Sequence, residues 1–204
     1  GPIGDEILTK ITNSSANLVA LGWMDGGTRN LYTKKAIRKP ADLAGQKIRM
    51  MGNPLFVDTM NAMGGSGISM GMGELFSAMQ TGVVDGAENN PPTYVTQNHF
   101  TVTKFYNHTG HLIIPEIFVY SKTKWNKLSA DDQALIKKLS KEAQMEQRKL
   151  WDLKVEDSVA KMKAAGVTIV SDVDYDAFFK ATQPVRDKYG KDYADLMKRI
   201  QAQK

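Results

Sequence analysis

The sequence feature that most restricts the fold is one long amphipathic stretch between Ser129 and Gly166. Ser129, with Asp132 three residues later, resembles a capping box that starts a helix, and Gly166 is a suitable residue to end one. A helix of this extent would be about 54 Å long, which is longer than one small lobe. The stretch therefore predicts a helix that bridges two lobes, and the alternative is a helix broken near residues 145–147.

Short apolar runs alternate with amphipathic segments through the rest of the chain. The predicted strands cover residues 18–24, 45–50, 83–87, 113–121 and 167–170. The predicted helices cover residues 54–63, 73–80, 91–100, 175–185 and 193–202, with a weaker one at 7–18. This alternation indicates the α/β class with parallel sheets. Because the long helix follows the strand near Ile113, the chain is expected to cross between two sheets.

The composition excludes several kinds of chemistry. The 204 residues include no cysteine, which excludes disulfides, thiolate catalysis and cysteine-bound metals. The three histidines do not form a metal-binding pattern, so no metal and no cofactor are predicted. The sequence contains no nucleophile elbow, no P-loop and no dinucleotide-binding motif. No catalytic residue is therefore predicted, and the chain is not expected to be an enzyme.

The net charge of +5 is scattered along the chain. A nucleic-acid surface would need a basic stripe with interleaved aromatic residues, so no nucleic-acid partner is predicted. A mild positive field could still help to capture anionic ligands. No stretch approaches the roughly 18 apolar residues of a membrane span. The first residues lack the pattern of a signal peptide, which is expected to be absent or already removed.

Arg49 is the leading candidate for ligand binding on residue chemistry alone. It lies near the end of a predicted strand, residues 45–50, that otherwise looks buried, where an arginine without a partner is costly. Its planar guanidinium matches the two oxygens of a carboxylate better than a lysine ammonium does. The alternative for Arg49 is an internal salt bridge.

Three segments together carry a specific pattern. They are residues 45–50 (GQKIRM), residues 73–92 (GELFSAMQTGVVDGAENNPP) and residues 122–129 (KTKWNKLS). In this order they resemble the substrate-binding component of tripartite ATP-independent periplasmic (TRAP) transporters, the DctP family, and the resemblance runs from about Ile3 to Ile200. Residues 25–32 and 88–94 are most similar to the branch of that family that binds uronates and related sugar acids.

The resemblance implies the two-lobe architecture of periplasmic binding proteins, the Venus flytrap, with a long helix that bridges the lobes. Residues 1–26 and 115–154 are expected to form part of lobe I. Residues 27–114 and 155–204 are expected to form lobe II, which carries the carboxylate-binding arginine. Typical members have a further segment ahead of the residue that matches Ile3, so the first lobe is expected to be incomplete in this chain.

The resemblance also implies a set of ligand-binding residues. Arg49 matches the arginine that pairs with the ligand carboxylate, Arg29 matches a second arginine twenty positions earlier, and Asn89 matches a cleft residue. Asn90 is a further candidate for sugar hydroxyls, and Met72 stands where many members carry an aromatic residue. Two alternatives remain open: Arg29, which follows a flexible loop, could have a structural role without contact to the ligand, and Asn89 could cap the helix that begins with the next prolines.

Two aromatic residues are weaker candidates for apolar walls of the cleft. They are Trp23 and Tyr94, and for each the alternative of core packing is favoured.

The function implied by the resemblance is a periplasmic receptor that captures a small organic acid, with a uronate or other sugar acid favoured. Its partners would be that acid and the small and large membrane subunits of a TRAP transporter, and the full-length protein would be a monomer. Two alternatives are an extracytoplasmic module that senses a ligand without transport and, less favoured, an enzyme that acts on sugar acids.

Overall fold

The computed structural model describes residues 1–203, which separate into two compact units. Unit 1 comprises Gly1–Gly27, Ile114–Lys154 and the residues after Met197. Unit 2 comprises Thr28–Ile113 and Val155–Met197. In the described residues no helix is long and apolar enough to cross a membrane.

Strands and helices alternate along most of the chain. The strands are β1 Leu18–Met24, β2 Thr28–Thr33, β3 Lys47–Met50, β4 Ser66–Ser69, β5 Gly86–Asn89, β6 Phe105–Ile113, β7 Glu116–Ser121 and β8 Thr168–Val170. The α-helices are α1 Pro2–Asn13, α2 Pro54–Met63, α3 Met72–Thr81, α4 Pro91–Thr96, α5 Lys122–Trp125, α6 Ala130–Ala164, α7 Tyr175–Ala181, α8 Gln183–Gly190 and α9 Ala194–Gln201. Short 3-10 segments cover Pro40–Leu43, His99–Thr101 and Lys191–Tyr193.

Helix α6 is continuous over 35 residues, so the alternative of a break near residues 145–147 is wrong. Local hydrogen bonds determine where this helix begins. Ser129 Oγ accepts a bond from the Asp132 N–H at 3.1 Å and donates to the Asp132 carboxylate at 2.7 Å. Residues up to Lys154 of this helix belong to unit 1, and the remainder belongs to unit 2.

Unit 1 contains a two-stranded antiparallel sheet of β1 and β7. Its buried apolar residues are Val19, Leu21 and Trp125, and Tyr120, Leu128 and Ile136 pack against them. Trp23 is half-buried in this unit and donates its indole N–H to the Gly4 carbonyl at 3.3 Å. This bond gives Trp23 an internal partner and agrees with the interpretation of Trp23 as a packing residue.

Unit 2 is built on a six-stranded sheet with the order β4-β3-β5-β2-β6-β8. Strand β3 is parallel to β4 and β5, and β6 is parallel to β8, whereas β2 is antiparallel to both of its neighbours. The sheet is therefore mixed, and the expectation of parallel sheets is wrong. Strand β2 follows β1 of the other unit without a helical crossover. The alternation of strands and helices therefore does not predict that β2 runs antiparallel to its neighbours.

Both faces of this sheet are covered. Successive residues of a strand point to opposite faces, and Leu31 and Tyr32 of β2 accordingly belong to two different buried clusters. The first cluster also contains Ile37, Leu43, Ile48, Met50, Met60, Met63 and Phe178. The second also contains Leu75, Met79, Val84, Tyr94, Tyr106 and Met162. Tyr94 is fully buried in this second cluster, as its core-packing interpretation requires.

Three strands of unit 2 were not predicted from the sequence, namely β2, β4 and β6. Strands β2 and β6 are rich in polar residues whose hydrogen bonds are completed only across the sheet. The buried Asn107, for example, donates to Thr33 Oγ1 at 2.9 Å and accepts from the Ile37 N–H at 2.8 Å. A polar run of this kind resembles a loop until its cross-strand partners are known.

One buried histidine of unit 2 is expected to make stability depend on pH. His99 is 1% exposed, and its Nδ1 lies 2.8 Å from the Tyr32 hydroxyl. Burial lowers the pKa of His99 to about 4, and the positive charge of Arg49 acts in the same direction. An unfolded histidine takes up its proton near pH 6.5, so stability is lost as the pH falls from about 6.5 towards about 4.

We expect wild-type protein to lose stability faster than a His99→Asn variant as the solution is acidified. The difference between their free energies of unfolding should shrink by up to about 1.4 kcal/mol per pH unit between about pH 6 and about pH 4.5. Urea unfolding at a series of pH values measures both curves. Parallel curves for the two proteins would show that His99 does not stay neutral in the folded state.

Candidate functional site

The order of the strands brings the candidate residues together. Strand β5 lies between β3, which carries Arg49, and β2, which carries Arg29. The end of β5, Glu88–Asn89, therefore lies between the two arginines. Gly86 permits this arrangement, because a side chain at that position would collide with the Tyr32 carbonyl and with Thr33 of β2.

Arg29 is neutralised inside the protein by Glu88. Its Nε donates to Glu88 Oε2 and its Nη2 donates to Glu88 Oε1 at 2.8 Å and to the Glu88 carbonyl at 3.0 Å. Nη1 donates to Asn89 Oδ1 at 3.0 Å. These bonds use four of the five N–H groups of the guanidinium, which leaves one donor for the predicted contact with a ligand.

Glu88 is fully buried, and its charge depends on this pairing. Burial raises the pKa of the Glu88 carboxyl, whereas the hydrogen bonds and charge of Arg29 act in the opposite direction. A two-pronged pair with a guanidinium is the arrangement that best compensates a buried carboxylate. Arg29 and Glu88 thus form an ion pair that adds no net charge to the site.

Asn89 is held in one orientation. Its Oδ1 accepts from Arg29 Nη1 at 3.0 Å and from the Asn90 N–H at 2.9 Å, so the amide oxygen is already bonded within the protein. The donating Nδ2 group is the end of the amide that these bonds leave for another partner. The residue that caps α4 is Asn90, whose Oδ1 accepts from the Thr93 N–H at 2.8 Å. The alternative that assigned the cap to Asn89 is therefore wrong.

Arg49 differs from Arg29 in having no carboxylate in direct contact. The residue is 4% exposed, and its Nε donates to the Met70 carbonyl at 2.8 Å. Nη1 is buried without a hydrogen-bond partner, and no carboxylate among residues 1–203 lies within 4.0 Å of the guanidinium. The internal salt bridge that the alternative for Arg49 requires is not formed. Burial lowers the pKa of Arg49, but a guanidinium stays protonated in a protein.

His111 lies next to Glu88 and is neutral at neutral pH. Its Nδ1 is hydrogen-bonded to the Thr109 hydroxyl at 2.8 Å, and its Nε2, which has no hydrogen-bond partner, lies 3.8 Å from Glu88 Oε2. Burial, together with the charge of Arg29, lowers the pKa of His111 to about 3. The net charge of the cluster is therefore set by the two arginines and Glu88.

The sequence analysis missed three participants in this site. They are Glu88, His111 and the carbonyl of Met70. Glu88 had a visible signal, because it precedes Asn89 in the segment that carries the resemblance. The role of Met70 involves its backbone, so no residue type could indicate it. Met72, the candidate two residues further on, begins α3 and is half-buried against the second core cluster.

An apolar cavity of about 640 Å³ lies in unit 2. It is lined by residues of α2, α7, α8 and the end of β6, including aromatic side chains such as Tyr175 and Phe179, and by Tyr193. Neither Arg49 nor Asn89 lines this cavity, but His111 does, so the cavity adjoins the polar cluster at that residue. Among the described residues no group of three or more histidine or carboxylate side chains could hold a metal ion.

Comparison with known protein families identifies the class of this chain. Residues 1–192 match the DctP family, described as bacterial extracellular solute-binding protein family 7, and the chain belongs to that family. A solute-binding protein of Chromohalobacter salexigens is 37% identical over 197 residues, which are 96% of this chain and 58% of that protein. The chain thus spans little more than half the length of this relative.

Solved structures agree with this family. A TRAP periplasmic solute-binding protein from Pseudomonas putida F1, with bound D-glucuronate, is 62% identical with a TM-score of 0.95 and covers 98% of this chain and 65% of that one. Another from Bradyrhizobium sp. BTAi1, in complex with α/β-D-galacturonate, is 42% identical with a TM-score of 0.93 and covers 99% and 68%. The family and the two-lobe fold class expected from the sequence are confirmed.

Proposed function

We propose that this chain is the ligand-binding part of a periplasmic receptor that captures a hydroxylated monocarboxylic acid, with uronates as the preferred class. The observation that carries the proposal is Arg49, a buried cation with an unpartnered Nη1 and no internal carboxylate among the described residues. A buried charge without a partner is costly, so its partner is expected to arrive from outside. A carboxylate is the anion whose geometry a guanidinium matches best.

The contact with Met70 limits how a carboxylate can bind. Because the Met70 carbonyl occupies Nε of Arg49, the remaining two-pronged mode uses Nη1 and Nη2, the end of the guanidinium. Asn89 supplies the donating end of its amide, since Arg29 and the next backbone N–H hold its oxygen. Both groups donate, and an acceptor-only group such as a carboxylate fits them.

The charge of the cluster favours one carboxylate in the ligand. Two guanidinium groups, one buried carboxylate and a neutral His111 leave a single positive charge. A ligand with one negative charge balances the cluster, whereas a dicarboxylate would bring an uncompensated charge to this part of the site. The related structures from Pseudomonas putida F1 and Bradyrhizobium sp. BTAi1, with bound D-glucuronate and D-galacturonate, support the same class of ligand.

We further propose that unit 2 corresponds to lobe II, which carries the carboxylate site, and that unit 1 is part of lobe I. Exclusion of water from the bound acid would strengthen the charge-assisted bonds. The small and large membrane subunits of a TRAP transporter would then receive the ligand in the periplasm, from a receptor that is a monomer as the complete gene product.

A receptor fits the cluster better than an enzyme does. Both oxygens of Glu88 accept bonds from Arg29, so this carboxylate is not free to act as a general base. Burial and the charge of Arg29 lower the pKa of His111, the nearby imidazole, to about 3, which makes it a weak base. The cluster therefore supports binding of an acid rather than its chemical conversion.

A thermal-shift screen of the complete gene product tests this function. A ligand that binds only the folded protein at about 100 times its Kd should stabilise it by about 2.7 kcal/mol. We expect the largest shifts from D-glucuronate and D-galacturonate. Matched controls are D-glucose, which lacks the carboxylate, D-glucarate, which adds a second one, and D-glucosamine, which carries an amine. A series led by the neutral sugar or the amine would contradict the proposal.

A further inference from the structure

Tyr106 is hydrogen-bonded to the backbone of Asn89. The side chain lies on β6, is fully buried, and donates its hydroxyl to the Asn89 carbonyl at 2.9 Å. The same hydroxyl oxygen lies 3.4 Å from Asn30 Nδ2. Asn30 in turn accepts the Gly110 N–H at 2.9 Å through its Oδ1. A single hydroxyl thus connects the site strand β5 with β2 and β6.

The bond from Tyr106 holds the part of Asn89 that its side-chain bonds do not. Asn89 is the last residue of β5, and Asn90 after it already caps α4. Arg29 fixes the amide oxygen of Asn89, whereas Tyr106 fixes the backbone carbonyl. Because the side-chain oxygen and the backbone carbonyl of Asn89 are both held, its donating Nδ2 group is oriented before a ligand arrives. Ligand binding then costs less side-chain entropy.

We propose that Tyr106 is a positioning residue for ligand binding, which acts through Asn89 without touching the ligand. The proposal rests on the proposed function, because it assigns to Asn89 the role of a donor to the ligand carboxylate. The chain offers a matched control in Tyr94, which is equally buried and donates its hydroxyl to the Thr103 carbonyl, away from Asn89. The rings of Tyr94 and Tyr106 lie 5.1 Å apart in the same core cluster.

A double-variant cycle tests the proposal by calorimetry with D-glucuronate. Tyr106→Phe should weaken binding by about five- to tenfold, the effect of one neutral hydrogen bond, whereas Tyr94→Phe should change it by less than about twofold. In an Asn89→Ala background, Tyr106→Phe should have almost no further effect, because its route to the ligand is gone. An equal loss in both backgrounds, or no loss in either, would overturn the positioning role.

A measurement without ligand keeps this result separate from the proposed function. The side-chain amide signal of Asn89 in a ¹H–¹⁵N spectrum should shift in Tyr106→Phe and stay in place in Tyr94→Phe. If wild-type protein bound neither uronate, the proposed function would fail, and an unchanged Asn89 signal in Tyr106→Phe would independently overturn the positioning role. A shifted signal together with weakened binding supports both.

Discussion

Replacing Arg49 with alanine is expected to weaken the binding of a uronate by about 30-fold to a few thousand-fold, which corresponds to about 2–5 kcal/mol. The loss should be large because the variant removes the one cation of the cluster that has no carboxylate partner among the described residues. Arg49→Lys should recover only part of the affinity, since an ammonium keeps the charge but not the two-pronged geometry. Isothermal titration calorimetry with D-glucuronate measures all three proteins.

A second readout separates a binding role of Arg49 from a structural one. A buried cation without a carboxylate partner is costly. The ligand-free Arg49→Met variant should therefore unfold at the same urea concentration as wild-type protein or at a higher one. Arg38→Ala is the matched control, as Arg38 pairs with Asp172 at 2.8 Å on the surface, and it should leave affinity unchanged. Unchanged affinity in Arg49→Ala, or marked destabilisation of Arg49→Met, would remove Arg49 from its proposed role.

Replacing Glu88 with glutamine is expected to lower the free energy of unfolding by about 3–5 kcal/mol. Glu88 is fully buried and both of its carboxylate oxygens accept bonds from Arg29, so the variant leaves a buried guanidinium without its counter-charge. Affinity for an acid should change as well, because Arg29 then loses the anchor that lets it hold Asn89. Urea unfolding monitored by circular dichroism provides the stability measurement.

Two further variants make this stability prediction specific. A double replacement, Arg29→Met with Glu88→Leu, should recover much of the lost stability, because apolar side chains of similar size often substitute well for a buried ion pair. Glu116→Gln changes an exposed carboxylate and should stay within about 0.5 kcal/mol of wild-type protein. A Glu88→Gln variant as stable as Glu116→Gln would mean that the pair does not carry its charge in the folded protein.

Local signals in the sequence predicted several parts of the fold well. Asn53 caps α2 by accepting the Leu55 N–H at 2.9 Å, and Gly64 ends this helix with a φ of 107°. The start of α6 at Ser129 and Asp132 was equally visible. Each of these features depends on residues within one helical turn of each other, so their chemistry is readable from neighbouring letters.

The partners of the two arginines were not predictable in the same way. Both Arg29 and Arg49 are strand residues of similar burial, and the sequence analysis treated both as ligand-binding candidates. Glu88, which neutralises Arg29, lies 59 residues away along the chain. Only the placement of β5 between β2 and β3 determines which guanidinium its carboxylate reaches.

By itself, the sequence determined the α/β class and the start of helix α6, because those depend on local pattern, and its resemblance to the DctP family indicated the family and the candidates Arg49 and Asn89. Tertiary structure alone decided that the sheet of unit 2 is mixed, that Arg29 is already paired and that Asn89 presents its donor. The physical reason is that charge compensation and amide orientation depend on hydrogen bonds between strands, which form only when distant segments of the chain lie side by side.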